Sequence, residues 1–514
     1  MDKNILFKLF RYWKNSSAIF LFSIIGLSSF RCSQESDRTL ELNLLVRIGD
    51  RIITVDDFIH RSEYTIRPPY CRNNTYIHKK IILNSLVAEK LFALEEGDSN
   101  ALVSNADFID YVQGRKEQAM RKIHYYEESY KQIELSEKEI AEETERSLRR
   151  YSISYFSIKE EKLAEIIRHK LFKENVSFSD IYYQLAGDTL IPSREVKWDK
   201  PEREEIYNSL FHGMPKINEI IGPVSISDEQ FIFMRVNGWI DSKIFTEAQF
   251  NDRSKIVSER LTEQKAWSDY QSIVGKIMQE KRLEFNHATF KRVYELTAPL
   301  YIKLEEEKKN FINNSIWEMA QSDSQFIDFP KQLDDLNSAP FFVVDSKAWT
   351  VADFRKLMKR HPLVFRKELS GKSTLREQFR FAIVDMIRDY YITQDAYEKE
   401  YDLCPAVIQE KTIWEDNLLS LYHKFNFISE KNTTNSSQTE IDEDYLTPYV
   451  ENLFVKYDAE IEINIKKFEE IKFSNIDMMA FQTDQPFPVV VPSFPLLTNK
   501  NRLDYGKILN ANKK

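Results

Sequence analysis

Two segments of this sequence, one near the N-terminus and one in the second half, carry the same succession of residue types. The first is residues 46–58, VRIGDRIITVDDF, and the second is residues 342–354, FVVDSKAWTVADF. Alternating apolar residues in each predict a short strand that turns at Gly-Asp or Asp-Ser-Lys. Thr54 and Thr350 each precede an aspartate by three residues, which is typical of a helix N-cap. The repeat predicts a strand, a cap and a helix in the same order in two places.

Each copy of the repeat continues into an amphipathic helix. These helices are predicted over residues 81–96 and 381–396, where apolar residues recur at helical spacing. The spacing predicts core residues rather than a binding face. The residues concerned are Leu83, Leu86, Val87 and Leu91 in the first helix and Ile383, Met386, Ile387 and Tyr390 in the second.

The stretch between the two copies changes character along its length. A charged helical region comes first, and in it Ser136 is followed three residues later by Glu139, the pattern of a capping box. Residues 151–158 then alternate like a strand, and a returning strand is predicted at residues 230–236. Strands with helices between them describe a small α+β domain. The helices are predicted over residues 160–174 and 178–186.

The C-terminal part of the chain begins with a polar segment, residues 429–444, that is predicted to be a flexible linker. One helix follows it, and residues 459–465 alternate like a strand. The prolines in residues 486–495 fix the backbone and remove amide donors. We therefore expect an extended segment lying across a neighbouring element there.

Composition excludes several classes of function. The net charge is −9 and the pI is near 5.7, so the chain has no basic footprint and nucleic acid is not an expected partner. Glycine is scarce, at 11 residues, and neither GxGxxG nor GxxxxGK[ST] occurs. The eight histidines form no HExxH pattern, so neither a metal nor a cofactor is predicted. The acid-rich run at residues 137–145 is interpreted as a solvated helix face.

The N-terminus resembles an export signal. Basic residues among the first fourteen lead into an apolar run at residues 18–30. That run has about thirteen residues, short of the roughly twenty that a helix needs to cross the hydrocarbon core. The segment favours export to the periplasm or cell envelope, with membrane association through this end of the chain.

Cys32 follows the apolar run and is the lipidation candidate, because a bacterial lipoprotein places its lipidated cysteine there. Cleavage near Ser28 and an uncleaved anchor are the alternatives. The chain has three cysteines and no CxxC pair, too few for a disulfide framework. We expect two free thiols, Cys71 and Cys404, in preference to a single long-range bridge.

In their order, these pieces resemble the parvulin-type foldases and chaperones of the bacterial cell envelope, the kind that includes the SurA and PrsA proteins. Four local matches carry the resemblance: residues 48–58, the helix at 86–97, the capping box at 135–140, and Ile-Gly-Pro-Val at 221–224 before a strand. It covers residue 46 to about residue 285. The resemblance implies a mostly helical α+β protein in which helical chaperone-like modules flank a small parvulin-like α+β domain.

The resemblance and the changes of composition together divide the chain into seven parts. These are a signal or lipoprotein signal at 1–32, an N-terminal SurA/PrsA-like helical chaperone module at 40–150, a parvulin-like domain at 151–245, a helical connector at 246–340, a second helical chaperone-like module at 341–428, the linker at 429–444, and a C-terminal segment at 445–514.

The parvulin-like domain departs from its family where catalysis would occur. The family carries a histidine in its first strand, where this chain has Ser154 or Tyr155. A second histidine is expected in the last strand, where this chain offers Phe231 or Ile232. Prolyl isomerisation crosses a barrier of roughly 18–20 kcal/mol, and lowering it needs an apolar pocket and polar groups that stabilise the twisted amide. The isomerase activity implied by the family is therefore uncertain, and a domain kept for peptide binding is the simpler interpretation.

The aromatic content, 13% with 35 Phe and 25 Tyr, suits a protein that binds unfolded chains through apolar surfaces. We expect an envelope chaperone for unfolded, secreted or outer-membrane polypeptides. An active prolyl isomerase and a structural lipoprotein with one dedicated protein partner are the alternatives. The candidate peptide-binding residues are Ser154, Tyr155, Phe178, Phe211, Met214 and Phe231.

Overall fold

The computed structural model describes most of the chain from residue 40 onward. It comprises residues 40–187, 190–200, 202–227, 230–243, 246–299, 331–361, 363–365, 374–431, 441–473, 487 and 489–509. The predicted signal segment and Cys32 lie outside these residues. Helices dominate and the strands form three small sheets, which confirms the mostly helical α+β class. In the described part of the chain, no helix is both long enough and apolar enough to span a membrane.

The chain divides into two compact units, residues 1–127 with 271–514 and residues 128–270. The strands are β1 Leu44–Ile48, β2 Arg51–Thr54, β3 Arg149–Ile158, β4 Ser193–Lys197, β5 Ile220–Ser227, β6 Gln230–Asp241, β7 Leu283–Phe285, β8 Pro340–Val344, β9 Lys347–Thr350, β10 Ile461–Ile463 and β11 Lys507–Ile508. The helices are α1 Val55–Glu63, α2 Tyr76–Glu96, α3 Ala106–Glu128, α4 Glu137–Ser147, α5 Glu161–Phe172, α6 Phe178–Ala186, α7 Glu204–Tyr207, α8 Glu247–Ile277, α9 at 287–299, α10 Val351–Arg360, α11 Leu375–Glu398, α12 Pro405–Glu430, α13 Thr447–Lys456 and α14 Ile465–Glu470.

The predicted repeat is present in the first unit as two hairpins, each followed by a capped helix. The Thr54 hydroxyl accepts a hydrogen bond from the Asp57 amide at 3.0 Å, and the Asp57 carboxylate accepts one from the Thr54 amide at 2.9 Å. Thr350 and Asp353 form the same reciprocal pair at 3.2 and 2.9 Å. Both capping boxes fix the direction of the helix that follows its hairpin.

The first hairpin belongs to a four-stranded sheet in the order β11-β10-β1-β2, in which only β10 and β11 are parallel. Its apolar face packs with α1, α2 and α13 into the first core, which includes Leu45, Phe58, Leu86, Phe92, Leu453 and Phe468. Residues from both ends of the chain thus share one core.

The second hairpin belongs to a three-stranded antiparallel sheet in the order β7-β8-β9. It packs with α9, α10 and α11 into the second core, which includes Phe290, Phe341, Phe354, Phe379 and Ile383. Strand β7 lies inside the stretch 246–340 predicted to be a helical connector, so that stretch contributes a strand to this sheet.

The described residues of the proline-containing C-terminal chain before β11 form no helix or strand, and this chain lies across the first core, as predicted for a segment that covers a neighbouring element. Phe494 and Leu497 are buried in that core. The Arg61 guanidinium donates to the Ser493 carbonyl at 2.6 Å, and the Asn84 amide donates to the Lys500 carbonyl at 2.7 Å. These contacts give the irregular chain partners for its carbonyl groups where regular pairing is missing.

The second unit contains a four-stranded antiparallel sheet in the order β4-β3-β6-β5. One face packs against α5 and α6 around Phe156, Ile167, Phe178 and Phe233. The other packs against α7 and α8 around Tyr151, Trp198, Leu210, Phe211, Met234 and Val257. The strands predicted at residues 151–158 and 230–236 and the two helices between them are confirmed.

Two local expectations need revision. Within the predicted linker at 429–444, α12 continues to Glu430 and a π-helical turn begins at Ile441, while residues 432–440 lie outside the described part. The prediction of two free thiols is wrong, because Cys404 is disulfide-bonded. Cys71 is a free, fully buried thiol, and burial raises its pKa to about 12.

Candidate functional site

Ser154, the first of the predicted peptide-binding residues, is buried on the face of the second unit's sheet that packs against α5 and α6. Its hydroxyl accepts from the Asn237 amide nitrogen at 3.0 Å and donates to the Asn237 amide oxygen at 3.2 Å. Both residues are on the central strands β3 and β6. A serine engaged in this way holds two strands together and presents no free donor toward solvent.

Tyr155 points to the opposite face of the same sheet, because successive residues of a strand alternate between faces. Its ring is partly buried, and the Arg194 guanidinium lies 5.4 Å from the ring centroid. Arg194 is itself paired with Glu202. The two neighbouring candidates, Ser154 and Tyr155, are therefore separated by the sheet.

The aromatic candidates are also divided between the two faces. Phe178 is buried against Phe156, with ring centroids 5.0 Å apart, and Phe231 packs beside them. Phe211 is buried on the other face, where its ring centroid is 4.8 Å from that of Tyr207. Their side chains fill the two cores.

Met214 is the one candidate that is largely exposed, at 55%. It follows the π-helical turn Asn208–His212 and adopts a positive φ of 46°. The structure thus places Ser154, Phe178 and Phe231 on one face of the sheet and Tyr155 and Phe211 on the other. Peptide binding by these six residues stays a prediction.

Other apolar side chains of the second unit are exposed and were missed by sequence reasoning. They follow one another within α5, α6 and the chain after α6, and Leu190 is 93% exposed. The buried residues of α5, Ala164, Ile167 and Leu171, mark its inner face, so helical spacing could have identified Ile166 as facing outward. The exposed set is Ile166, Phe172, Tyr183, Leu185 and Leu190.

One buried carboxylate is central to the other face of the second unit. Glu143 of α4 accepts hydrogen bonds from the Trp198 indole and the Tyr207 hydroxyl, both at 2.7 Å, and from Arg146 at 3.1 Å. Burial alone would raise the pKa of Glu143, but these hydrogen bonds outweigh it and hold that pKa below its usual value. The carboxylate ties α4 to α7 and to Trp198, which follows β4.

A second buried charge cluster lies in the first unit, between α1, α2 and α12. Arg61 and Glu89 form a bidentate pair at 2.9 and 2.8 Å, and Asn417 donates to the same carboxylate at 2.8 Å. Burial is the largest single cause and would raise the pKa of Glu89, but Arg61, Lys90 and the hydrogen bond from Asn417 together hold that pKa below its usual value. Nearby, Lys90 and Arg51 both bind Asp416, each at 2.9 Å.

This cluster borders a small cavity that is lined by four apolar and four charged residues. Its lining residues are Ile52, Ile53, Asp57, Arg61, Leu86, Glu89, Lys90 and Ile413. Glu89 is paired with Arg61 and Lys90 with Asp416, while the Asp57 carboxylate accepts from the Thr54 amide and the Gln409 side chain. The arrangement is that of a structural ion-pair cluster.

A third buried cluster joins α3 to α11 and to His361, which directly follows α10. The His361 ring donates to Glu117 through Nε2 at 2.7 Å, because its Nδ1 accepts from Arg121 at 3.2 Å. Burial is the largest cause that lowers the pKa of His361, and Arg121 adds to it, while the bond to Glu117 acts in the opposite direction. His124 lies 2.6 Å from Asp395 in the same contact.

These clusters contain no nucleophile beside a free base, and the described residues include no group of three or more His, Cys, Asp or Glu side chains suited to a metal ion. No family model, curated protein or solved structure matches this chain. Function is therefore inferred from the contacts and burial of the residues described above.

Proposed function

We propose that this chain is a chaperone-like protein of the cell envelope, which binds unfolded or secreted polypeptides, including those of the outer membrane, and lacks prolyl isomerase activity. The observation that carries the second half of this proposal is the state of the two central strands of the second unit. Neither β3 nor β6 contains a histidine, and the hydroxyl of Ser154 is already bonded to Asn237. A polar group committed to a neighbour is a poor stabiliser of a twisted amide.

The exposed apolar side chains of α5, α6 and the chain after them support polypeptide binding. Single exposed apolar residues are ordinary on protein surfaces, but five within one stretch of chain are a candidate interaction surface. Such side chains contact unfolded polypeptides without requiring a particular sequence. The second unit would then serve as a binding element instead of a catalyst.

The chaperone proposal is tested by light scattering with the purified full chain and an aggregating client protein. At a near-stoichiometric ratio we expect scattering to be suppressed, and unchanged scattering would reject the proposal. Replacing Leu190 and Tyr183 by aspartate should weaken the suppression, while aspartate at exposed Ile240 is the matched control, because it lies on β6, away from this stretch of chain.

Loss of isomerase activity is tested separately with a proline-limited peptide assay on the same protein. We expect the observed rate to equal the uncatalysed rate. A clear acceleration would show that a catalytic site exists without the family histidines. Capture of one fixed partner instead of many clients would favour a dedicated binding subunit.

Export and membrane association are part of the proposal and have their own test. The intact mass of the protein extracted from membranes distinguishes a cleaved, a lipidated and a retained N-terminus. A mass that includes lipid on a chain beginning at Cys32 would show lipidation, and the mass of a chain cleaved near Ser28 or of the full unmodified chain would contradict it.

A further inference from the structure

The repeat in the first unit is larger than the hairpin and its helix, because each hairpin is paired with a strand from elsewhere in the chain. Strand β10 pairs with β1 and β7 pairs with β8, both antiparallel. The pairs correspond: Val46 faces Ile463 as Phe342 faces Phe285, and Ile48 faces Ile461 as Val344 faces Leu283.

The two pairing strands share a sequence motif. Residues 461–468 read IEINIKKF and residues 283–290 read LEFNHATF. Asn464 caps the helix after β10 by accepting from the Lys467 amide at 3.1 Å, and Asn286 caps the helix after β7 by accepting from the Thr289 amide at 3.0 Å. The two strands therefore occupy equivalent positions.

The direction of the backbone groups is the same in both strands. The Asn464 amide donates to the Leu45 carbonyl at 2.8 Å, and the Asn286 amide donates to the Phe341 carbonyl at 2.9 Å. Because backbone groups alternate in direction along a strand, the N–H and C=O groups of Ile463 point away from β1. Those of Leu283 and Phe285 point away from β8 in the same way.

The outer edges of the two strands differ in what covers them. The outer edge of β10 is paired with β11, in parallel, with Lys507 beside Glu462 and Ile508 beside Ile463. The Ile463 carbonyl accepts from the Leu509 amide at 2.9 Å. Among the described residues, no strand pairs with the outer edge of β7.

The side chains of β10 are also less exposed than those of β7. Ile461 and Ile463 of β10 are buried, whereas Leu283 and Phe285 of β7 are only partly buried and Glu284 is exposed. An uncovered strand edge presents a row of backbone donors and acceptors that pairs readily with another extended chain.

We propose that the outer edge of β7 binds an extended segment of a client polypeptide as a parallel strand, in the way that β10 binds β11. This inference rests on the proposed chaperone function and names one place where that function occurs. The preferred segment carries a basic residue followed by an apolar residue, because Glu284 and Phe285 stand where Glu462 and Ile463 meet Lys507 and Ile508. Backbone pairing supplies affinity, and these two side chains supply the register.

A labelled peptide that copies residues 503–509, LDYGKIL, is the probe, used with the full-length protein. We expect saturable binding and slower hydrogen exchange of the Leu283 and Phe285 amides when the peptide is present. Phe285 stands where Ile463 faces β11, so Phe285→Pro removes one outward N–H without removing a bond to β8 and should weaken binding about fivefold. Phe285→Ala is the matched control for the lost side chain and should bind more tightly than the proline variant.

A charge exchange provides a second readout at an exposed residue. Glu284→Lys should weaken binding of the peptide severalfold, and a peptide with Glu in place of its Lys should recover the affinity on this variant. Recovery of binding by the exchanged pair is not expected from general damage to the fold.

Three other outcomes would contradict client binding at the outer edge of β7. Peptide binding that is indifferent to both substitutions overturns the proposal, while suppression of aggregation by the same protein leaves the chaperone function in place. If the Leu283 and Phe285 amides are protected from hydrogen exchange without peptide, another segment of the same chain occupies the edge. A concentration-dependent dimer that Phe285→Pro abolishes would assign it to a second copy. If the protein does not suppress aggregation, the chaperone function is rejected, and the peptide measurements still show whether the β7 edge binds an extended segment.

Discussion

The most deeply buried charges of the chain are paired across segments that are far apart in sequence. Glu89 meets Arg61 within the N-terminal region, and Asn417 joins them from α12. Removing one member of such a cluster leaves the other charge buried without a partner, which costs more than the pair itself contributes. At the scale of residues, these clusters therefore determine which substitutions the fold tolerates.

Glu143 provides a direct test at this scale. Glu143→Ala leaves the Trp198 indole and the Tyr207 hydroxyl without their acceptor, so we expect the free energy of unfolding of the second unit to fall by about 2–3 kcal/mol. Urea denaturation followed by tryptophan fluorescence measures the change. Glu142→Ala, at the exposed neighbouring position, should shift it by less than about 0.5 kcal/mol. Equal effects of the two substitutions would contradict the assigned role.

His361 predicts a pH dependence whose sign follows from its environment. Its pKa is lowered in the folded protein, so the unfolded chain takes up a proton first as the pH falls. Stability from this residue is complete above the ordinary histidine pKa of about 6.5 and is lost as the pH falls from there toward the lower folded pKa. The groups around the ring are Glu117, Arg121, Arg360, Asp389 and Thr393.

The measurement compares urea midpoints at pH 7.5 and 5.5 for the unmodified chain and His361→Gln. The glutamine can keep both hydrogen bonds but does not titrate, so the loss of stability on acidification should be smaller in this variant. His287→Gln, at an exposed position, should leave the pH dependence unchanged. If His361→Gln and the unmodified chain lose stability equally, another group is responsible.

At the scale of elements, the repeated module is defined by its caps and by a shared irregularity. Pairing shifts between Leu44 and Val46 in the first hairpin and between Pro340 and Phe342 in the second. The hairpins therefore share a bulge at the same place, at the start of the first strand and opposite the end of the second strand, which leads into the capped helix. A bulge retained in both copies indicates that it sets the angle between strand and helix.

The cap of the second copy is open to a simple test. Thr350→Ala removes the acceptor for the Asp353 amide, and we expect it to lower the free energy of unfolding by about 1 kcal/mol. Thr350→Ser keeps the hydroxyl and should recover most of that loss. Thermal denaturation of the three proteins measures it, and a serine variant as weak as the alanine variant would rule out the cap as the cause.

At the scale of the whole molecule, the first core is assembled from both ends of the chain. Phe494, Leu497 and Tyr505 are buried against residues of α2 and α13, and the rings of Tyr505 and Phe454 stack 4.0 Å apart. The N-terminal module therefore depends on Phe494, Leu497 and Tyr505, which are far from it in sequence. Strand β10 makes the same connection through the sheet.

Removal of residues 489–514 should expose this core. Burial of a large apolar side chain contributes about 1.5–3 kcal/mol, so loss of three of them should destabilise the first core by more than about 4 kcal/mol. Limited proteolysis should then cut within α2, which stays protected in the full chain. Ile508→Ala is the control, because Ile508 is exposed, and it should leave the protection of α2 unchanged.

The sequence predicted local structure well where one short segment contains all the information. Thr54 with Asp57, Thr350 with Asp353 and Ser136 with Glu139 each form the capping box that their spacing indicates. The alternation of residues 151–158 indicated the central strand of the second unit. These features depend on neighbours within a few residues, and the physical rules for caps and strands are local.

The second half of the repeat escaped sequence reasoning because its order differs between the copies. Strand β7 precedes its hairpin in the chain, whereas β10 follows its hairpin after more than half of the molecule. A comparison that runs along the sequence in one direction aligns the hairpins and misses the strands that pair with them. The shared Asn caps at 286 and 464 could have revealed the relation.

Sequence by itself determined the mostly helical α+β fold class and the capped hairpins of this protein. It also showed that residues 149–158 and 230–241, which form β3 and β6, contain no histidine. Only the tertiary structure decided that Phe178 and Phe211 fill opposite cores and that Ser154 is engaged by Asn237. It also decided that β11 pairs with the outer edge of β10, while no strand of the described ranges pairs with that of β7. Burial depends on which distant segments meet, and an apolar side chain has the same local signature in a core as on a binding surface.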